Sequence, residues 1–541
     1  MKKYLALILA ILMLVAAFAG CGKKDDATGD DGARKGTYGG TFRTYFTSAP
    51  PTVNPLTTQD TNPWTLIDRT TLSLYNTKMN ADGKSWSYQP TAAADFPKQL
   101  DAEGYKWEYT IKKGMKWSNG DMITVDDWEF TFKEHANPLM QNLSASSMTM
   151  NSYGVIKNIY EYQMGEVKDW AEVGYTKIDD YTFQVEFTTP RTQADAIRAC
   201  NRSIVNKTLY EANLTADKTG TTYGTSIDTY ASCGEYILVE WIPDAKFVLK
   251  KNPDYVEADK IYFDEVTFTC VPDSGTALQL FLNGELDYCG LSYTQWEQFE
   301  EDPRIQEYFG DSLMYFMVNV GNPNQGNVLG KLDFRKALFY GADRVEIGNT
   351  LGAYPATRLV RRAVLSNPAT GVPFVDLPQD YVADGYTVRD VEAAKKYLDK
   401  AYEDSGITTS DMRILISETS THLRGCAELL QKQYGDIFNG KLNVIMHTVP
   451  SSQATKLRRW NPEDPTAFDT ALGSLLPSAQ DPRAGFNYYR TDYSPPRFAW
   501  NDPQFDAWYY EAMSLDLEKD NDKVIELCMK MEKMRSFRIR E

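Results

Sequence analysis

Three histidines, His135, His422 and His447, are all the chain contains, and none of their spacings suits a metal site. Seven cysteines occur, and Cys200, Cys233, Cys270, Cys289, Cys426 and Cys528 include no CxxC pair, so neither metal nor cofactor is expected. Cys270 and Cys289 lie on expected strands flanking one helix, but buried free thiols are the expectation for the set. Gly310-Asp311-Ser312-Leu313 offers a serine in a four-residue block, but it sits mid-chain and no Asp-x-x-His follows it. Gly-x-Ser-x-Gly, His-Glu-x-x-His and P-loop motifs are absent. The adjacent carboxylates Asp126-Asp127 and Asp179-Asp180 suit caps and turns. A glycosidase pair would converge only in three dimensions, so that alternative stays open at the level of sequence. The inventory assigns no catalytic residue and gives catalysis little support.

The formal charge of −17 argues against nucleic acid, whose phosphates an acidic surface repels. Aromatic residues make up 13%, enough to fill cores or to grip an organic ligand by contact area. At 541 residues the chain is too long for one core, and two or three lobes are expected. Lys2 and Lys3 precede the apolar run Tyr4–Phe18, which is too short to span a membrane, and Ala19-Gly20-Cys21 follows. This resembles the lipobox of bacterial lipoproteins, which implies cleavage after residue 20 and lipidation of Cys21. Residues 21–36 are charged and glycine-rich, the composition of a flexible tether.

The elements that must position any site follow from periodicity. Tyr105–Lys133 packs strand, turn and helix into under thirty residues. Trp107, Tyr109 and Ile111 alternate with Glu108, Thr110 and Lys112, the period of a half-buried strand. Ser118–Asp121 is a turn, and Thr124 precedes Asp127 at capping-box spacing. Val125, Trp128 and Phe132 then follow a helical stripe. Strands are expected at Thr37–Thr47, Tyr181–Thr188, Gly234–Trp241, Lys246–Lys251, Glu265–Val271 and Leu286–Gly290, the last two flanking helix Ser274–Asn283. An acidic helix and loop is expected over Lys157–Trp170, and Asp333 as the N-cap of Phe334–Gly341. From Arg389, helices alternate with strands Met412–Ser417, Leu442–Val449 and Phe468–Gly473, the pattern of a parallel sheet with covering helices. Ligands of such sheets bind beyond the carboxyl ends of the strands, which puts Glu418–His422 and Ser474–Asp481 at a pocket mouth. Asp502–Glu541 reads as two helices.

Four blocks carry a family resemblance. Val53–Leu56, Tyr105–Lys133, Gly234–Tyr255 and Asp333–Asp343 resemble, in order and spacing, motifs of the peptide/nickel-type solute-binding lipoproteins of ABC importers. Asn119 stands where the family has Asp, and Glu235 where it has Pro. The resemblance implies an α/β, two-lobed periplasmic-binding-protein-like clamp of class II with an extra inserted domain. Domain I would combine residues 37–78, 185–285 and 486–541; domain II would be 79–184 and domain III 286–485. It implies a monomer on the outer face of the cytoplasmic membrane that catalyses no reaction and hands a peptide or other polar solute to permease subunits. Gln59, Asp60, Thr61 and Asn62 would face the ligand from domain I, and Ser474, Leu475 and Leu476 would flank its backbone. Glu418, His422, Ser478 and Asp481 complete the expected site.

Two departures matter. In oligopeptide binders a carboxylate holds the ligand's α-amino group at the position of Ser478. Serine cannot supply that charge-assisted bond, worth roughly 1.5–3 kcal/mol. Either Asp60, Glu418 or Asp481 takes the role, or the ligand is a neutral oligosaccharide or other solute without a free amine. A sensor or adhesin using the same clamp is the runner-up, and a hydrolase a distant third. The chain also stops at Met534–Glu541 without the family's apolar return strand. The expectation is a truncated or frame-shifted end and a lower melting temperature than a full-length relative; equal temperatures would refute it.

Overall fold

Trp107, Tyr109 and Ile111 form one buried row of the strand Lys106–Thr110 and the bridge that follows it, as their alternation requires. The protein is described here from a computed structural model. It covers residues 36–58, 61–80, 86–140, 142, 145–149, 155–291, 293–306, 313–356, 358–367, 369–379, 389–418, 421–475, 481–493, 501–517 and 519–537. Lys106–Thr110 pairs antiparallel with Thr182–Glu186, placing Tyr109 opposite Phe183 with ring centroids 4.9 Å apart. The sheet runs Lys98–Gln99, Lys106–Thr110, Thr182–Glu186, Tyr175–Asp179. Helix Val125–His135 joins the same core through Trp128 and Phe132. Thr124 and Asp127 form the capping box: the Thr124 hydroxyl accepts from Asp126 N, and the Asp127 carboxylate accepts from Thr124 N at 3.1 Å. The helix expected over Lys157–Trp170 contracts to Ile159–Gln163, because Gly165 turns left-handed at φ +75° just beyond it.

Burial raises the Asp127 carboxyl to about 6, against an ordinary 3.8. A carboxyl raised on folding gives its full contribution below its ordinary value and loses it as pH rises through about 6. The expected result is that unfolding free energy falls by up to about 3 kcal/mol between pH 4 and 7 on this account. Urea titrations across that range should show Asp127→Asn with a flatter profile; an unchanged slope would refute the assignment.

A second sheet has the order Thr41–Phe46, Glu265–Cys270, Lys246–Lys251, Tyr236–Ile242, its first pair parallel and the others antiparallel. Tyr236–Ile242 and Lys246–Lys251 make the expected hairpin, with Asp244 in the left-handed region at its tip. Leu286–Gly290 is not a strand. Asp287 instead clasps Arg43: its N–H donates to the Arg43 carbonyl at 2.8 Å, and its carboxylate accepts from Arg43 N at 2.8 Å and from the guanidinium at 2.7 Å.

The third sheet has the order Leu313–Val318, Thr470–Leu475, Ser410–Ser417, Leu442–Val449. Its last three strands are parallel, as the alternation of helix and strand predicts; Leu313–Val318 joins antiparallel, so the sheet is mixed. Helices Val391–Ser405 and Thr421–Phe438 cover it, the first capped by Asp390 and ended by left-handed Gly406. Asp333 does not cap its helix. Leu332–Gly341 begins two residues earlier than expected, and Asp333 sits in its first turn, paired with Lys400 at 2.7 Å. Pro503–Ser514 and Asn521–Phe537 share a core with Val360, Val364, Phe374, Phe486 and Tyr489, tied by the buried Arg358–Glu532 pair at 2.7 Å. The six described cysteines are free thiols, with Cys270 and Cys289 only half-buried.

Candidate functional site

Parallel pairing brings the carboxyl ends of three strands, Ser417, Val449 and Leu475, to one edge of the third sheet. Glu418 leaves that edge exposed to solvent while its N–H donates to the Val449 carbonyl at 2.9 Å. Ser474, opposite Met314, is half-buried on the adjacent strand, and Leu475 lies opposite Leu313. His422 lies in the first turn of Thr421–Phe438, which starts at the same edge. The topology thus gathers Glu418, His422, Ser474 and Leu475 at one rim; the side chains of His422 and Leu475 lie outside the described set. Gln59, Asp60, Leu476 and Ser478 also lie outside the described residues. Thr61 opens the helix Thr61–Thr70, and Asn62 donates its side-chain amide to the Ser48 carbonyl at 2.9 Å. That bond fixes the start of the helix against the preceding loop.

Asp481 is not a free carboxylate for a ligand. Its side chain is 1% exposed and bridges Arg483 at 2.6 Å and Arg198 at 3.4 Å. Asp195 completes the cluster, 3.1 Å from Arg198 and 3.3 Å from Arg483. Arg483 further donates to the carbonyls of Ala512 and Leu515, and Arg198 to the Tyr88 hydroxyl. Burial pushes the Asp481 carboxyl up, but the Arg483 guanidinium outweighs it and holds the group below the ordinary carboxylate range. The cluster welds helix Gln193–Cys200 to the segment Pro482–Tyr489 and the loop after Pro503–Ser514. This correction has a simple cause: a carboxylate enclosed by two guanidiniums and removed from water is already satisfied. Sequence reading missed the cluster. Asp195 and Arg198 at i and i+3 on one helix, and Asp481 and Arg483 two residues apart, were the local signals.

At the amino ends of the same strands lies an open cleft of about 540 Å³, lined by Asn324, Gln325, Asp411, Arg413, Ile445, Thr466 and Asp469. Its buried carboxylate, Asp469, takes both the Arg413 backbone N–H and its guanidinium at 2.9 Å, plus the Asn322 amide at 3.0 Å. Those groups serve the sheet. His135 is buried at the end of helix Val125–His135. Among the described residues no group of three or more His, Cys, Asp and Glu could hold a metal ion, and no helix is long and apolar enough to cross a membrane.

Known proteins resemble the chain throughout this frame. It is 24% identical over 417 residues to the oligopeptide-binding protein OppA of Bacillus subtilis, covering 75% of this chain and 70% of that one. To the dipeptide-binding protein DppE of the same organism it is 24% identical over 443 residues, 81% and 75% of the two chains. Among solved structures, Listeria monocytogenes OppA bound to peptide superposes with a TM-score of 0.72 at 20% identity, covering 92% and 91%. The substrate-binding domain of an oligopeptide ABC transporter from Bacillus anthracis gives 0.72 at 21%, covering 91% and 90%. These likenesses establish the two-lobed class II α/β fold. The sequence model of the family's middle region matches residues 85–495, most of the chain, and the protein therefore belongs to the bacterial extracellular solute-binding proteins, family 5.

Proposed function

We propose that this chain captures an oligopeptide between its two lobes and delivers it to the permease of an ABC importer. The observation that supports this reading most is family membership over residues 85–495, with relatives named for oligopeptide and dipeptide binding. A clamp of this kind binds main chain through strand-like hydrogen bonds and leaves wet room for side chains. Ser474, Leu475 and Leu476 serve the backbone, Gln59–Asn62 face it from the other lobe, and His422 and Ser478 line the rim. With Asp481 occupied by arginines, Glu418 and Asp60 are the carboxylates left to meet an α-amine. The protein acts as a monomer held to the outer face of the cytoplasmic membrane by a lipid on Cys21, after loss of residues 1–20. Domain I is proposed as 37–78 with 185–285, domain II as 79–184 and domain III as 286–485. Residues 486–541 fall to domain I by the family resemblance, while the core that their helices share with Val360 and Phe374 favours domain III.

The test is closure and affinity together. Small-angle scattering should contract on adding a peptide from a mixed library, and native mass spectrometry should identify retained cargo. Glu418→Gln should weaken a free-amine peptide roughly tenfold to a hundredfold, the equivalent of one lost charge-assisted bond. N-acetylated peptide should bind wild type and variant alike. Scattering unchanged across peptides would overturn the reading. Closure with neutral oligosaccharides alone would move it to the second reading, which Ser478 favours through its lack of charge.

A further inference from the structure

Where the described body begins, it carries an aromatic patch that the ligand rim does not use. Tyr38, Tyr262 and Phe263 are 57%, 41% and 40% exposed. They are not loose surface rings. Tyr38 and Tyr262 stack at 4.5 Å, and Phe263 lies 5.3 Å from Phe42. Gly39 N donates to the Tyr262 carbonyl at 2.7 Å. Gly36 approaches Tyr262 so closely that a Cβ there would sit 2.8 Å from the ring. Tyr38 and Tyr262 are therefore held as one exposed pair, and Phe263, next to Tyr262 in the chain, is held against Phe42, so that three partly exposed rings lie on one short stretch of surface.

The surrounding charge narrows the partner. Lys251 stands 5.8 Å from the Tyr38 ring centre and donates to the Ile261 carbonyl, while Lys260 pairs with Glu257. Asp259 and Asp264 border the same rings. Positive and negative groups nearly balance, so the patch lacks the field that would recruit a polyanion or a strongly charged protein. Tyrosine rings with polar tips partition instead to the headgroup region of a bilayer. Position agrees with chemistry. Residues 22–36 are all that separate Cys21 from the patch. Even fully extended, a chain of that length spans at most about 50 Å, so the patch stays within reach of the anchored residue.

We propose that Tyr38, Tyr262 and Phe263 dock the body onto the lipid headgroup layer; this rests on the reading of Cys21 as the lipidated residue. One lipid attachment gains from a second, weaker contact, and docking would also fix which side of the body faces the membrane.

The test uses the full-length lipidated protein on vesicles of phosphatidylcholine and phosphatidylglycerol, footprinted with hydroxyl radicals and read by mass spectrometry. Tyr288 and Tyr354, 46% and 75% exposed, serve as internal references. Oxidation of Tyr38, Tyr262 and Phe263 should fall at least about threefold below the references, as expected for rings inserted at the interface. In Phe263→Glu, Tyr38 and Tyr262 should return to the reference level while the protein still sediments with vesicles. Oxidation equal to the references in vesicle-bound wild type would overturn docking alone, as would protection that appears only in membranes containing the permease. Absence of lipid mass on Cys21 together with loss of sedimentation would overturn both docking and the lipid anchor.

Discussion

Arg483→Met is expected to lower the unfolding free energy by about 3–5 kcal/mol, the usual effect of removing one partner from a buried ion cluster. Arg483 is wholly buried and its guanidinium holds four partners at once: Asp481 by two nitrogens, Asp195, and the carbonyls of Ala512 and Leu515. Without it, the two buried carboxylates are left to Arg198 and, for Asp195, the nearby Arg191, and two carbonyls each lose a donor. The pH dependence gives the prediction its sign. Asp481 is held below the ordinary carboxylate range, so its contribution is present above about pH 4 and lost as pH falls through the depressed value. In the variant, burial acts unopposed by Arg483 and the carboxyl rises. The deficit should therefore be largest near neutrality and shrink in acid. Arg483→Met combined with Asp481→Leu leaves Asp195 and Arg198 as a neutral pair and should recover much of the loss. Denaturant unfolding at pH 7 and pH 4 measures all of this. A single-variant loss below about 1 kcal/mol would mean that water reaches the cluster.

Trp128→Ala should cost about 3–5 kcal/mol, the range for emptying a large aromatic site in a core. Trp128 is 0% exposed and packs in one cluster with Trp107, Tyr109, Phe132 and Phe183. Its indole N–H is buried without an acceptor, which already costs some of what the ring contributes. Trp128→Phe keeps most of the apolar area and drops that N–H, so it should cost well under half as much. Packing and recognition separate cleanly here. If Trp128 only braces its lobe, affinity of the folded fraction for peptide stays within about twofold while stability falls. A selective loss of affinity at unchanged stability would reassign the residue to the ligand.

Much of the fold was legible because local rules and tertiary packing agree. The capping box at Thr124 and Asp127, the hairpin around Asp244, and helix Thr421–Phe438 follow from chemistry within a few residues. Failures arose where one local signal had two outcomes. Asp333 could cap a helix or sit in its first turn, and Lys400, distant in sequence, drew it to the second. Leu286–Gly290 alternates like a strand, but its backbone pairing with the first strand is confined to Asp287, whose N–H donates to the Arg43 carbonyl while its carboxylate holds the Arg43 guanidinium.

By itself, the sequence determined that the chain's last strands are parallel and that Glu418 and Ser474 share a rim. Period and spacing are local, and parallel order forces carboxyl ends together. Only the tertiary structure decided what Asp481 does. A carboxylate's role depends on which cations reach it and how far water is shut out: Arg483 is two residues on, but the burial and the second cation, Arg198, 283 residues away, come from the fold. Coulomb energy and desolvation act through space, and no pattern along the chain records them.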